Sequence, residues 1–262
     1  MNVAGAILQY LRRNRVSTTE VADALGKNGV LPGLSPITPH EFKVGTARCV
    51  FTANNSNYDL HEQIRQVREG DVVIVFAHDC EGRALLGDLV ARYLLLYRGA
   101  EALVVDGLVR DAARLRRERY PVWARGATPL GCHNVPAKPF PAEEAAALRR
   151  SIEGGIAVCD DGGVTVIPAH LLTNELLERL QFIELQEDIW YYCLNTLKWD
   201  TKRIVCDKEY LTQRELLPPA YRDRFDQFEK SVTGTSAKAR PARPAKTRRA
   251  ETTKQFAKSP QR

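Results

Sequence analysis

Two short stretches hold the side chains best suited to chemistry: Gly87-Asp88-Leu89-Val90 and Arg110-Asp111, with twenty-one residues between Asp88 and Arg110. Asp111 is a hard oxygen ligand of the kind Mg²⁺ or Mn²⁺ takes. Arg110 offers a planar fork that matches a carboxylate. Amides at a helix start bind anions, so the N–H groups of Leu89 and Val90 could hold a substrate carboxylate. Asp88 could hold the water molecules around a metal. The competing reading is a capping aspartate plus a surface ion pair, a common arrangement worth little energetically.

The elements that would position these groups can be read from the flanking sequence. Gly87 and Asp88 open a helix, the Asp carboxylate accepting first-turn N–H groups. Ala91 to Tyr97 is Leu-rich and apolar on every side, as a helix packed on a sheet would be. Arg98-Gly99 ends it, with a basic residue in the last turn and a glycine for the left-handed cap. Ala102 to Asp106 is a short buried strand, and Gly107 allows a sharp turn presenting Arg110 and Asp111. Asp71 to Ala77 is the clearest strand, apolar on both faces and therefore internal. The polar loop after it, His78-Asp79-Cys80-Glu81-Gly82-Arg83, lies where ligands usually sit in such sheets. His78 is a candidate general base there, although an isolated loop histidine is more often merely exposed; Asp79 and Glu81 read the same way.

Elsewhere, residues 1–30 read as two short helices, the second opened by a Ser17/Glu20 capping box and ended by Gly29. Residues 31–40 are loop and 45–52 a strand. Asn54-Asn55-Ser56-Asn57 reads as an open polar loop and 60–67 as a helix. Residues 155–158 and 164–167 form a β-hairpin around Asp160-Asp161-Gly162-Gly163. Alternating strands and helices give an α/β domain. Residues 169–230 are helical, with Leu176, Leu177, Leu180, Ile183 and Leu185 near helical spacing for packing.

Composition bounds the rest. The chain has 262 residues, 44% of them hydrophobic, which is enough for a core. No apolar run approaches the roughly 20 residues a membrane helix needs. Val3 to Leu11 is followed, not preceded, by Arg12-Arg13, opposite to a signal peptide, so the sequence reads as cytoplasmic. The six cysteines (Cys49, Cys80, Cys132, Cys159, Cys193, Cys206) show no Cys-x-x-Cys spacing and read mostly as buried free thiols. The adjacent Cys132-His133 reads as loop and not as zinc ligand. From Ser231 onward nine basic residues stand against Glu251. That segment therefore carries +8 of the net +6, and the remainder carries −2. Residues 231–262 are expected to be a disordered basic tail, through which alone nucleic acid or an acidic partner could bind.

The central stretch resembles the RraA-like family, which includes the 4-hydroxy-4-methyl-2-oxoglutarate / 4-carboxy-4-hydroxy-2-oxoadipate aldolases and regulators of ribonuclease activity. The resemblance is carried by Gly87-Asp88 and Val105-Asp106-Gly107-Leu108-Val109-Arg110-Asp111. Pro121-Val122-Trp123-Ala124-Arg125-Gly126, Thr128-Pro129 and Asp160-Asp161-Gly162-Gly163-Val164-Thr165-Val166-Ile167-Pro168 support it. So do Ser17-Thr18-Thr19-Glu20-Val21-Ala22-Asp23-Ala24-Leu25 and Gly45-Thr46-Ala47. Two features depart from the family pattern. The Asp88–Arg110 interval is one residue longer than the resemblance implies, and Arg114 stands where the family often has an acid.

The resemblance implies a three-layer β/β/α swivelling-type domain over residues 1–168, a helical extension over 169–230 and the tail over 231–262, assembled as a trimer or hexamer. It further implies a class II, metal-dependent pyruvate aldolase cleaving a 4-hydroxy-2-oxo acid, with oxaloacetate-type decarboxylase activity on the same enolate. Asp111 would anchor Mg²⁺ or Mn²⁺, Arg110 would pair with the oxygens that gain charge, and Asp88 would orient a water that shuttles the proton of the C4 hydroxyl. Gly87, Asp88, Leu89 and Val90 would form the carboxylate-binding helix start, and Glu184 or Glu187 could complete a neighbouring subunit's site. The alternative is a non-enzymatic regulator that binds a ribonuclease or another protein or RNA partner. Retention of Asp111 favours the enzyme. A menaquinone methyltransferase is rejected, because no Gly-rich cofactor loop follows a strand.

Overall fold

A computed structural model describes residues 2–236. Two helices come first, α1 (Val3–Asn14) and α2 (Thr18–Ala24). The expected capping box opens α2: Ser17 accepts from the Glu20 amide, and the Glu20 carboxylate accepts from the Ser17 amide. Next come β1 (Ser35–Pro36), β2 (Lys43–Ala53), α3 (Tyr58–Gln63), β3 (Asp71–His78), β4 (Ala84–Leu86) and α4 (Asp88–Arg92). They are followed by β5 (Ala102–Val109), α5 (Ala112–Arg117), β6 (Val122–Ala127), α6 (Ala142–Ile152) and the hairpin β7 (Ile156–Asp160) and β8 (Gly163–Ile167). The last helices are α7 (Asn174–Asn195) and α8 (Pro219–Ser236).

The strands form one mixed sheet in the order β1-β6-β5-β3-β2-β7-β8, with β4 pairing to β5 outside this path. Its centre, β2-β3-β5-β6, is parallel, and β7 runs antiparallel to β2. β1 pairs antiparallel with β6, while Val30, just before it, bridges to Thr165 of β8. The N-terminal segment thus spans both sheet edges and nearly closes the sheet into a barrel.

Side-chain alternation explains the layers. On β3, Val73 and Val75 join an apolar cluster with Leu60, Val90, Leu94 and Leu115 of the helical side. Val72, Ile74 and Phe76 face the other way, toward Trp123, Val164, Val166 and Ala157. On β5, Leu103 and Val105 take the first side and Ala102 and Val104 the second. A third cluster packs Ile7, Leu11, Val21, Leu176 and Leu180 against Val44, Ile156, Val158 and Ile167. The start of the helical extension is therefore bound to the domain by core residues. The chain divides into two compact units at Leu217–Pro218, the second being α8 over its described residues. The first residues of the expected disordered tail, 231–236, instead continue α8, and the rest of that tail, with its basic run from Lys238, lies outside the described residues. Among the described residues, no helix is long and apolar enough to cross a membrane.

Three local expectations are corrected. Gly107 makes no turn and lies within β5, beside an irregularity in the β5–β6 pairing. A Cβ there would stand 2.8 Å from Leu85 Cδ1, so close packing and not a turn requires the glycine. The 54–57 loop is not open: Ser56 and Asn57 are buried. Ser56 Oγ donates to the Val135 carbonyl and Asn57 Nδ2 to that of Leu85, which satisfies much of their polarity inside the protein. Finally, the helix expected over 60–67 divides into α3 and a 3₁₀ turn, Ile64–Gln66.

Trp123 is fully buried and its indole N–H donates to the Asp160 carbonyl at 2.7 Å, tying the barrel interior to the hairpin. Trp123→Ala should cost about 3–5 kcal/mol of stability, measured as a fall in the urea midpoint at constant m-value.

Candidate active site

The 3-residue β4 lies beside the end of β5, with Ala84 opposite Leu108 and Leu86 opposite Val109. The Arg110 amide then donates to Leu86 O at 3.0 Å. This pairing delivers the start of α4 directly onto Arg110 and Asp111. Asp111 takes a left-handed conformation, φ 58°, which Asp tolerates better than most residues. Its Oδ2 accepts from the Asp88 amide at 3.2 Å.

Asp88 was expected to cap its own helix. The structure corrects this: Gly87 is the capping residue and has no side-chain cap, and the carboxylate at the helix start belongs to Asp111. Asp88 Oδ2 instead accepts from Arg114 Nη1 at 2.8 Å. The first intrahelical bond runs from the Ala91 amide to Gly87 O, so the Leu89 and Val90 amides are first-turn donors without intrahelical acceptors. Gly87 is required by space: a Cβ would lie 2.3 Å from Asp111 Oδ2 and 2.8 Å from Arg110 Cγ.

Arg110 Nε stands 3.6 Å from Asp111 Oδ2. The side chains of Arg110, Arg114 and Asp111 are 53%, 57% and 39% exposed, against 22% for Asp88. Ion pairs this open to water contribute at most about 1 kcal/mol each, so stability does not account for two cations and two anions gathered here. On its other side Arg110 meets Gly131, where a Cβ would lie 2.9 Å from Nη1. Arg83 Nη1 fixes that neighbour by donating to Gly131 O at 2.9 Å. Gly131, Arg83 and the Arg114 pairing had no signal in the sequence, since their relation to Arg110 and Asp88 arises only through strand pairing.

The interval between Asp88 and Arg110 includes an irregular helical turn. After α4 the helix continues as a π-helix, Tyr93–Tyr97, in which Arg98 N bonds to Tyr93 O at 3.1 Å. A π turn takes up one more residue than an α turn. The Tyr93–Tyr97 turn therefore spans one more residue than an α turn would between the α4 start beside β4 and the strand β5.

The other candidates lie apart from this cluster. His78, at the end of β3, has Nδ1 3.3 Å from Glu144 Oε2 and Nε2 3.4 Å from Asp79 Oδ2, with its ring edge against Phe140. Glu184 accepts a hydrogen bond from the Tyr10 hydroxyl. Burial, and then Glu184, push the Tyr10 hydroxyl pKa up. Glu187 is raised by burial and by Glu20 and Asp23 of α2. Within one chain, neither glutamate is brought to Asp111.

A family model described as "RraA-like: Aldolase/RraA" matches residues 18–166. The chain belongs to the RraA-like family. A Halalkalibacterium halodurans protein, provisionally named as a 4-hydroxy-4-methyl-2-oxoglutarate aldolase, is 30% identical over 169 residues, covering 58% of this chain and 73% of its own. A Shewanella oneidensis protein with the same provisional name is 36% identical over 88 residues, 34% of this chain and 51% of its own. Among solved structures, Streptomyces coelicolor RraAS2, described as an unusual member of the RNase ES inhibitor RraA family, is 26% identical. It superposes with a TM-score of 0.58 over 71% of this chain and 96% of its own. The family thus includes both aldolases and ribonuclease regulators, and its fold is the one seen here.

Two outcomes test this geometry. Gly87→Ala should destabilise the protein by about 1–3 kcal/mol through overpacking, read from chemical denaturation. Deletion of Leu96, which is 62% exposed in the π segment, should convert that turn to α-helix and shift Tm by less than about 4 °C.

Proposed function

We propose that this protein is a metal-dependent lyase that cleaves a 4-hydroxy-2-oxo acid to pyruvate, with a related decarboxylation of oxaloacetate-type acids. The observation that carries the reading is the Asp111 carboxylate held beside the Arg110 guanidinium at the open start of α4. Within one chain the donor set is small: no cluster of three or more His, Cys, Asp or Glu that could hold a metal occurs among the described residues. That fits Mg²⁺ or Mn²⁺, which bind through one or two carboxylates and complete their shells with water and substrate oxygens. It does not fit an all-protein cage. Asp111 would hold the cation, since the contacts from Asp88 N and Arg110 both fall on Oδ2. When bound, the cation supplies Lewis acidity for the negative charge that develops on a 2-oxo acid.

The chain's own groups do the rest. The Leu89 and Val90 amides receive the substrate carboxylate, as helix-start donors do. Arg110, with Gly131 packed against it, pairs with the oxygens that gain charge as the C3–C4 bond breaks. Asp88, held through Oδ2 by Arg114, orients a water to move the proton of the C4 hydroxyl. Leu89, Leu96 and Tyr97 are 77%, 62% and 75% exposed. An apolar surface of that kind along one helix suits assembly with further copies of the chain.

The test is pyruvate release from 4-hydroxy-2-oxo diacids and from oxaloacetate, with Mn²⁺ or Mg²⁺ and then with chelator. Turnover should need the metal and should fall at least about 10²-fold in Asp111→Ala and in Arg110→Lys. Absence of turnover together with capture of a ribonuclease would favour the regulatory reading that the Streptomyces relative's description suggests.

A further inference from the structure

Cys80 and Cys132 are far apart in sequence and meet in the fold. Three segments near the strand ends are knitted together. The Asn54 and Asn55 amides donate to the His78 and Asp79 carbonyls at 2.8 and 2.9 Å. His133 N donates to Asn55 O at 2.8 Å, and Cys132 N to Ala84 O at 3.1 Å. Both cysteines are half-buried at the edge of the apolar cluster that holds Val73, Val75 and Leu85. There the two side chains pack against the same cluster, and Cys132 is the neighbour that acts most on the Cys80 thiol. Cys80 Sγ also lies 3.4 Å from His78 O and 4.0 Å from Thr52 Oγ1.

The other cysteines contrast with this pair. Cys49, Cys159 and Cys193 are buried. Burial, with Glu153 nearby, pushes the Cys49 thiol up to about 12, and burial drives Cys159 and Cys193 upward as well. Such thiols are poor nucleophiles. At the pair the direction splits. The hydrogen bond from Cys132 draws Cys80 down to about 6, against the effect of burial and with help from the Asn55 N–H. The same hydrogen bond, with burial, raises Cys132. The neighbouring sulfurs thus favour the thiolate at one partner and the protonated thiol at the other.

We propose that Cys80 and Cys132 are a nucleophilic and a resolving cysteine that close a reversible disulfide when the protein meets a low-molecular-weight disulfide such as oxidised glutathione. The Cys80 thiolate attacks one sulfur of the glutathione disulfide. A protein–glutathione mixed disulfide forms, and one glutathione leaves as thiolate. Cys132 loses its proton and attacks Cys80 Sγ, forming the internal disulfide and releasing the second glutathione. The two protein sulfurs lose two electrons and one glutathione disulfide is reduced; the Cys132 proton and one proton from water end on the two released glutathiones. Gly131, next to Cys132, packs against Arg110, so the closed disulfide fixes the segment that borders that guanidinium. Disulfide formation itself does not depend on the reaction proposed above.

The experiment equilibrates the full-length protein in glutathione buffers of increasing oxidised fraction. Free thiols are then counted after denaturation, and the sites mapped by mass spectrometry. Two of the six thiols should disappear, with the Cys80 and Cys132 peptides joined, and dithiothreitol should restore both. Cys132→Ser should stop at glutathione on Cys80, and Cys80→Ser should leave Cys132 reduced, each with a wild-type circular dichroism spectrum. In brief labelling of the native reduced protein at pH 7, Cys80 should react at least about tenfold faster than Cys49 or Cys159. Persistence of both thiols in fully oxidised buffer, modification confined to the exposed Cys206, or an unmodified Cys80 in the Cys132→Ser protein would each overturn the proposal.

Discussion

The candidate site depends on one close approach, that of the first residue of a helix to the carboxylate and guanidinium at the end of a strand. A single carbon added at position 87 would stand 2.3 Å from Asp111 Oδ2, closer than any packed structure allows. The approach is set by β4, whose pairing with the last residues of β5 leaves the chain only one residue in which to begin α4. From that constraint follow the bond from the Asp88 amide to Asp111, the reach of Arg114 to Asp88 and the open amides of Leu89 and Val90. Gly131 also lies close to Arg110, but there only the end of its flexible side chain is met.

The electrostatics fit a site poised for an anion or a cation better than they fit a structural ion-pair network. Asp88 and Asp111 each have an arginine nearby, at 2.8 and 3.6 Å. The longer, looser pair is the one at the helix start. Arg114 is committed to Asp88, and Arg110 is the cation paired with Asp111. Because the cluster is open to water, its charges interact weakly with one another, and a ligand that excludes that water would strengthen every one of these contacts.

Much of this was legible in the sequence, for reasons tied to particular residues. Asp71 to Ala77 is apolar at successive positions because β3 lies between two parallel neighbours and is covered on both faces. The Ser17/Glu20 box and the hairpin around Gly162-Gly163 are local patterns, and local patterns survive folding. What escaped was non-local. A glycine after an apolar run usually marks a turn, but the side chain that requires Gly107, Leu85, is brought in by β4. Ser56 and Asn57 look solvated until the carbonyls of Val135 and Leu85 are placed beside them. Asp88 looked like its own helix cap because nothing in the chain announces that Asp111 takes that position.

The Asp88–Arg110 interval shows why spacing is a weaker guide than register. Read along the chain, one more residue would rotate Asp88 by about 100° about the helix axis relative to everything after it. A π turn such as Tyr93–Tyr97 offsets such a change by holding one more residue than an α turn, at a point where Leu96 and Tyr97 are exposed and the backbone is free to widen. Both ends of the helix are fixed independently: the start by β4 and Asp111, the finish by Gly99 in a left-handed cap and by Arg98 donating to Val67 O. With both ends anchored, the middle is where the helix can absorb a change in length, and the contact between α4 and Asp111 is kept.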